Sequence, residues 1–187
     1  MKSFAVLGYF SIPHETHYQL GKYLSISGRV YFGIIRFFKD GREVITKSRP
    51  LYGHERKSII DAWGFETFFW DFHNPYIKYL LPKYAEEMKQ EILEQLPEDT
   101  VFYTRSPYSA FVLKQLKLKA EYSPRTGTSG TSIREKIYAG EVRTENLPEE
   151  TLDVLRRVSS RLEKLANDKD RTLKLFDFKI PVEGFLK

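Results

Sequence analysis

The sequence predicts an α/β protein in which a doubly wound parallel sheet carries helices on both of its faces. Short apolar or β-branched stretches alternate with helical patterns along the 187 residues, which is typical of repeated strand–helix–strand units. The first stretch, FAVLGYF (4–10), is apolar throughout and contains Gly8, as expected of a buried parallel strand. Because no internal repeat or low-complexity linker divides the chain, we expect a single domain with a C-terminal helical extension.

The later predicted strands are short and rich in β-branched and aromatic residues, which favour a pleated, half-buried surface. They are Arg29–Phe38, Phe65–Phe72, Thr100–Thr104 and Lys119–Pro124. Lys39-Asp40-Gly41 predicts a turn after the second strand, so that REVITK returns beside it as a hairpin arm.

Six stretches with helical spacing connect and follow these strands. They are His14–Leu24, Gly53–Trp63, Pro75–Leu96, Pro107–Leu116, Ile133–Gly140 and Pro148–Asn167. Gly64 ends the second helix, and Pro82 should kink or divide the third. The tail after Asn167 gives no clear signal. We assign 1–140 to the α/β domain and 141–187 to a helical extension packed on that domain.

The composition excludes several classes of protein. The chain has no cysteine, which rules out a disulfide scaffold, a cysteine-ligated zinc site and a cysteine nucleophile. No apolar run is long enough to cross a membrane, and the N-terminus lacks a signal-peptide pattern, so we expect a cytoplasmic protein without a membrane partner. The formal net charge of +5 favours anionic partners but does not choose among them.

Two of the four histidines, His14 and His17, lie three residues apart at the start of the first predicted helix. The ordinary interpretation is a pair that packs against its own loop. A zinc site needs a third ligand, and although His54 and His73 are present, no spacing links them to the pair. A third interpretation is phosphate binding, since a helix N-terminus offers free N–H groups and two imidazoles would add donors.

A second loop, TSGTSIREK (128–136), also precedes a predicted helix. Ser129 and Thr131 can cap the helix and contact phosphate, and Gly127 and Gly130 permit close backbone approach. Arg134 lies on the first turn and can grip phosphate with two N–H groups. Taken alone this is an ordinary capped helix. Because both loops follow parallel strands, they should meet at one edge of the sheet and hold a triphosphate from two sides.

These residues resemble a known family. GYFSIPHETH (8–17) is similar to the G-x-F-x-P-x-H-x-G-H motif of the nucleotidyltransferase superfamily, and SGTSIR (129–134) to its second signature, S-G-T-x-I-R. RPLYGHER (49–56) is similar to an N-P-F-T-A-G-E-R segment. The order and spacing of the three match as far as Gly140, and they most resemble the archaeal-type nicotinamide mononucleotide (NMN) adenylyltransferases. The resemblance implies a Rossmann-like fold.

The first motif departs from the family pattern. Thr16 replaces the glycine between the histidines, and Pro13 is one position later than the family proline. Tyr9 and Glu15 stand where the family often has cations that face phosphate. Five arginines are candidates to compensate, and sequence does not show which point inward: Arg36, Arg49, Arg56, Arg105 and Arg125.

The resemblance implies transfer of AMP from ATP to a phosphate-bearing acceptor, with NMN giving NAD and pyrophosphate. It assigns catalysis to His14, His17 and Arg134. Candidate nucleotide-binding residues are Gly8, Tyr9, Phe10, Thr128, Ser129, Gly130 and Thr131. Arg56, Trp70 and Phe72 are candidates for the acceptor. Mg²⁺ would come with ATP, held mostly through waters and without dedicated protein ligands. Related enzymes often form homo-oligomers.

Two alternatives remain open. One keeps the superfamily but changes the acceptor to phosphopantetheine, FMN or a sugar or polyol phosphate, or the donor to CTP. The other is a protein that binds nucleotides or nucleic acid without catalysis. Its support is the net charge and the basic stretches LRRVSSRLEK and YIKYLLPKYAEEMKQ, but acids alternate with bases in both. No nucleic-acid motif is present, so we expect no nucleic-acid partner.

Overall fold

The computed structural model describes residues 2–74, 84–123, 129–141, 147–169, 172–175 and 178–181. The strands are β1 Lys2–Gly8, β2 Gly28–Lys39, β3 Arg42–Glu43, β4 Glu66–His73, β5 Val101–Thr104, β6 Ala120–Tyr122, β7 Thr172–Leu175 and β8 Phe178–Pro181. The helices are α1 Glu15–Ser25, α2 Gly53–Ala62, α3 Ala85–Leu93, α4 Pro107–Gln115, α5 Gly130–Tyr138, α6 Glu149–Arg157 and α7 Ser159–Asn167.

The main sheet is parallel except for one short strand, which confirms the predicted fold class. β1 pairs with β2 on one side and with β5 on the other, while β4 extends the sheet beyond β2 and β6 extends it beyond β5. The parallel order is therefore β4-β2-β1-β5-β6. β3 runs antiparallel to the end of β2, as predicted for the hairpin arm. The direction of winding reverses between β1 and β5, and α/β sheets bind ligands at such a point.

Helices cover both faces of this sheet because side chains alternate along its strands. Phe32 and Ile34 of β2 belong to a buried cluster that also contains apolar residues of α1, α2, α5, α6 and α7. Tyr31, Ile35 and Phe37 point to the other face and join a cluster with residues of α3 and α4. None of the described helices combines the length and apolar character needed to span a bilayer.

The C-terminal segment differs from the predicted single long helix. The chain breaks at Val158, which has φ −105° and ψ 12°, so that α6 and α7 are separate helices. Leu152, Leu155 and Leu162 nevertheless pack in the same buried cluster as β1 and β2. The tail that gave no clear signal contains the antiparallel pair β7–β8. Residues 75–83, where Pro82 was expected to bend a helix, lie outside the described residues.

Candidate functional site

A pocket of about 230 Å³ opens at the carboxyl ends of β1 and β5, where the winding of the sheet reverses. Both predicted loops line it. The predicted site residues in the lining are Gly8, Tyr9, Phe10, His14, His17, Ser129, Gly130, Thr131 and Arg134. Thr128, which was expected beside them, lies outside the described residues, as do Gly127 and Arg125. The structure therefore brings together two segments that are far apart in the chain.

The two histidines are arranged by the first turn of α1. His14 is the N-cap residue, with an extended backbone, and its N–H donates to Nδ1 of His17 at 3.4 Å. The two ring centroids are 3.9 Å apart, and the His17 ring is nearly perpendicular to the Phe10 ring, with centroids 5.0 Å apart. Because Nδ1 of His17 is an acceptor, the neutral ring carries its hydrogen on Nε2.

The His14 side chain is only 3% exposed. Burial, reinforced by the charge of Arg105, lowers the pKa of His14 to about 4. Its Nδ1 has no hydrogen-bond partner among the described residues. At neutral pH this imidazole is uncharged, so it can interact with a ligand through hydrogen bonds but not through a positive charge.

The turn between β1 and α1 is held in an uncommon backbone conformation. Phe10 has φ +43°, in the left-handed region that side chains other than glycine rarely adopt. Arg56 donates from Nη1 to the carbonyls of Tyr9, at 2.6 Å, and Ile35, at 2.9 Å. These bonds tie the turn to β2, and the burial of Phe10 in the core fixes it further.

Arg56 is thus a structural residue in the geometry that we observe. It is 2% exposed, and its Nη2 pairs with Glu43 at 2.8 Å. Burial lowers the pKa of Arg56 to about 10, with Glu43 opposing the shift, so the guanidinium stays charged at neutral pH. This role leaves no local pattern in the sequence, because Glu43, Tyr9 and Ile35 are all distant from Arg56 in the chain.

The start of α5 faces the histidines. Ser129 is its N-cap, and the Ser129 hydroxyl accepts a hydrogen bond from the N–H of Ser132 at 3.1 Å. This cap begins the helix at Gly130 rather than at the predicted Ile133. A Cβ atom placed on Gly130 would lie 3.7 Å from Nε2 of His14, which shows how closely the two loops approach. Arg134 is buried and donates from Nη1 to the carbonyl of Ser48 at 3.0 Å.

The pocket lining is cationic. Of the candidate arginines, Arg49 and Arg105 line the pocket together with Arg134. Arg36 instead pairs with Asp71, in the same way that Arg56 pairs with an acid. None of the described residues in the lining is acidic. Three guanidinium groups facing one small space without carboxylates create a strongly positive potential that suits a polyanion.

The candidate acceptor residues do not line this pocket. Trp70 and Phe72 are buried in the cluster covered by α3 and α4, and Phe72 stacks on Phe37 with ring centroids 5.2 Å apart. The described lining does include hydroxyl groups that sequence reasoning did not single out. They belong to Ser11, Ser48, Tyr103, Thr104, Ser106, Ser109 and Ser123. The Ser106-Pro107 pair could have indicated these hydroxyl groups from the sequence. It marks a predicted helix start, and that helix begins at the same edge of the sheet.

The described residues offer no ready metal site. No group of three or more histidine, aspartate or glutamate side chains among them is placed to hold a metal ion. The pocket provides neutral imidazoles, hydroxyls and cationic guanidinium groups, which suit an anion rather than a bare divalent cation.

Comparison with known proteins identifies the fold. No family model and no curated protein sequence matches the chain. Among solved structures it is similar to a bifunctional NMN adenylyltransferase/ADP ribose pyrophosphatase from Francisella tularensis, complexed with AMP and Mn ion. That match has a TM-score of 0.66 and 14% identity, and it covers 89% of this chain and 52% of the other. A second crystal structure of the same bifunctional protein gives 0.66 and 13%, with coverage of 89% and 53%.

A NadR protein in complex with NAD and AMP-PNP is also similar, with a TM-score of 0.59 and 15% identity over 83% of this chain and 46% of that one. The chain thus has the Rossmann-like fold of nucleotidyltransferase-type proteins. It spans about half the length of the structures that it matches.

Proposed function

We propose that this protein is a nucleotidyltransferase that transfers AMP from ATP to a phosphate-bearing acceptor, and that NMN is the acceptor, giving NAD and pyrophosphate. The observation that carries the proposal is the pocket in which His14, His17 and the start of α5 converge within a lining that has cations and no described carboxylate. The shared fold and the three motifs support it. The narrower resemblance to the archaeal-type enzymes rests on the SGTSIR signature.

The reaction that fits this pocket is an in-line displacement. An oxygen of the acceptor phosphate forms a bond to the α-phosphorus of ATP, and the bond from that phosphorus to the oxygen bridging the β-phosphate breaks, releasing pyrophosphate. The protein forms no covalent intermediate. In this mechanism the neutral imidazoles donate hydrogen bonds to phosphate oxygens, and Arg134 with the first amides of α5 holds the terminal phosphates. Catalysis then comes from placement and charge stabilisation.

Mg²⁺ would arrive with ATP, bound to phosphate oxygens and waters, and would neutralise part of the triphosphate charge. The described lining fits this arrangement because it contains no carboxylate that would hold the ion separately. The cytoplasm as the site of the reaction and assembly into a homo-oligomer belong to the same proposal. The cysteine-free composition supports the first, and the family resemblance supports the second.

An acceptor panel tests the proposal. The protein is incubated with Mg²⁺, with ATP or CTP, and with NMN, phosphopantetheine, FMN or a polyol phosphate. Pyrophosphate release is measured, and the product is identified by mass spectrometry. We expect release with ATP and NMN, together with NAD. If pyrophosphate is released with another acceptor and not with NMN, the proposed acceptor is wrong and that compound takes its place. Oligonucleotide binding with a steep salt dependence and no pyrophosphate release would overturn the enzymatic proposal.

His17→Ala tests the role of the histidine pair. Removing one donor to the transferring phosphate should lower kcat/KM by about 10²- to 10³-fold. His54→Ala is the matched control, because His54 is exposed on α2 and does not line the pocket. Thermal unfolding should be similar for both variants, which separates catalysis from folding. Normal turnover in a folded His17→Ala protein would refute the assignment.

A further inference from the structure

Arg49, one of the three arginines that line the pocket, lies in a short segment between β3 and α2. We call this segment the strap (Thr46–Arg49). The strap closes on itself: the N–H of Thr46 donates to the carbonyl of Arg49 at 3.1 Å, and the N–H of Arg49 donates to the carbonyl of Thr46 at 2.8 Å. Thr46, Ser48 and Arg49 are all buried. The strap is therefore a compact turn, and its position decides where the Arg49 side chain lies.

Helix α5 holds the strap by two successive carbonyls. Arg134 donates to the carbonyl of Ser48, and the Tyr138 hydroxyl donates to the carbonyl of Lys47 at 2.8 Å. Positions 134 and 138 are four residues apart, so both side chains lie on one face of the helix. The Lys47 ammonium lies 5.5 Å from the centre of the Tyr138 ring and also donates to the carbonyl of Ala166 at the end of α7. The strap is thus fixed between two helices.

The strap places the guanidinium of Arg49 over aromatic rings at the edge of the pocket. Its central carbon lies 4.4 Å from the centre of the Phe37 ring and 5.1 Å from that of Tyr9. Arg49 and Tyr9 both line the pocket. A displacement of the strap would move this cation relative to Arg134, although the Arg134 helix itself would stay in place.

We propose that Tyr138 is a positioning residue, which acts through the carbonyl of Lys47 to hold the guanidinium of Arg49 at the pocket for a bound polyphosphate. Tyr138 is not a lining residue of the pocket, so its effect on a ligand passes through the strap. The inference rests on the proposed function in one respect, namely that the anion in the pocket is the nucleotide. This arrangement also couples the two sides of the site. The first turn of α5 faces the histidines, and the same helix fixes the strap that carries Arg49.

The test is Tyr138→Phe, which removes the hydroxyl and keeps the ring. The dissociation constant of ATP with Mg²⁺, measured by calorimetry, should rise by up to about fivefold, because the hydrogen bond that fixes the strap contributes about that much and its loss reaches ATP only through the position of Arg49. The KM for ATP should rise to a similar extent, with kcat changed less than twofold. Tyr31→Phe is the matched control, because Tyr31 is a buried tyrosine on the opposite sheet face, and it should leave the dissociation constant unchanged.

A double variant separates positioning from a general structural effect. In an Arg49→Met background the cation is gone, so adding Tyr138→Phe should weaken ATP binding no further. The inference is overturned if Tyr138→Phe has the same effect with and without Arg49, or has no effect at all. Calorimetry does not depend on product formation. A protein that binds ATP in the predicted pattern but makes no NAD would contradict the proposed function and leave this inference intact.

Discussion

His14 and His17 are chemically different although they lie side by side. His17 accepts a hydrogen bond at Nδ1 from the backbone of the helix start, which fixes the side of the ring that donates. His14 is enclosed and lies near the charge of Arg105, so its pKa falls to about 4. The uncharged His14 ring can form a hydrogen bond without adding to the repulsion among three arginines.

The low pKa of His14 makes stability depend on pH. The unfolded chain takes up a proton at this residue near its usual pKa of 6.5, whereas the folded protein resists until about 4. The stability that His14 contributes is therefore complete above pH 6.5 and is lost as the pH falls from 6.5 to 4. The loss should total about 3 kcal/mol.

The experiment compares urea unfolding of the native protein with that of His14→Gln between pH 4 and pH 7.5. The variant keeps a polar side chain but cannot titrate in this range, so its free energy of unfolding should fall less steeply with acid. Equal slopes for the two proteins would contradict the pKa assignment.

The sequence identified the two loops but could not sort the arginines. Arg36 and Arg56 are neutralised by Asp71 and Glu43, which lie 35 and 13 residues away in the chain. Charge pairs at such separations leave no local pattern, so the composition of a loop does not tell an arginine paired with an acid from one that lines the pocket. The histidine pair was easier to predict, because a strand, a glycine and a helix start are all local signals.

At the scale of elements, α6 supports the histidine loop. Thr151 is fully buried on α6, and its hydroxyl donates to the carbonyl of Pro13 at 3.0 Å. Pro13 directly precedes the N-cap His14. A helix from the C-terminal segment thereby fixes the point at which the histidine loop enters α1.

Thr151→Val tests how much the hydrogen bond to the Pro13 carbonyl contributes to stability, because valine has nearly the same shape as threonine but no hydroxyl. The buried carbonyl of Pro13 would lose a donor, and the free energy of unfolding should fall by about 1–3 kcal/mol. Thr151→Ser keeps the hydroxyl and is the control. We expect the turnover of ATP and acceptor to decline more in the valine variant than in the serine variant. The opposite order would show that packing of the methyl group, and not the hydrogen bond, is what matters.

Local sequence patterns were enough to predict most of the helices and strands. Where those elements end depends on long-range contacts. Gly64 follows α2 closely, as predicted, with φ +84°. The break at Val158 was missed because charged helical spacing continues through it. The pair β7–β8 was missed because two short strands acquire their partners only in the folded chain.

At the scale of the whole molecule, the alternation of strands and helices was enough to predict that both loops share one edge of the sheet. That inference needs only parallel strands. The order of the strands was not predictable, because it depends on which strand edges pair across the molecule. The strap was not predictable either, since Arg134 and Tyr138 contact it over 86 and 91 residues of sequence.

The C-terminal helices should be required for folding. Residues of α6 and α7 complete the buried cluster that also contains β1 and β2, so their removal would expose apolar side chains of the central strands. A chain that ends at Gly140 should therefore lack a cooperative thermal transition and aggregate, as followed by circular dichroism and light scattering. A fragment 1–140 that unfolds cooperatively would show that the extension is dispensable.

The described part of the pocket lining contains arginines and no acidic residue, which has a practical consequence for work on this protein. Guanidinium groups bind sulfate and inorganic phosphate through the same paired N–H geometry that they use for a nucleotide. Common salts of the laboratory will then occupy the cleft, and constants measured in them will report the displacement of buffer ions along with substrate affinity. Preparations in chloride with a zwitterionic buffer avoid that competition.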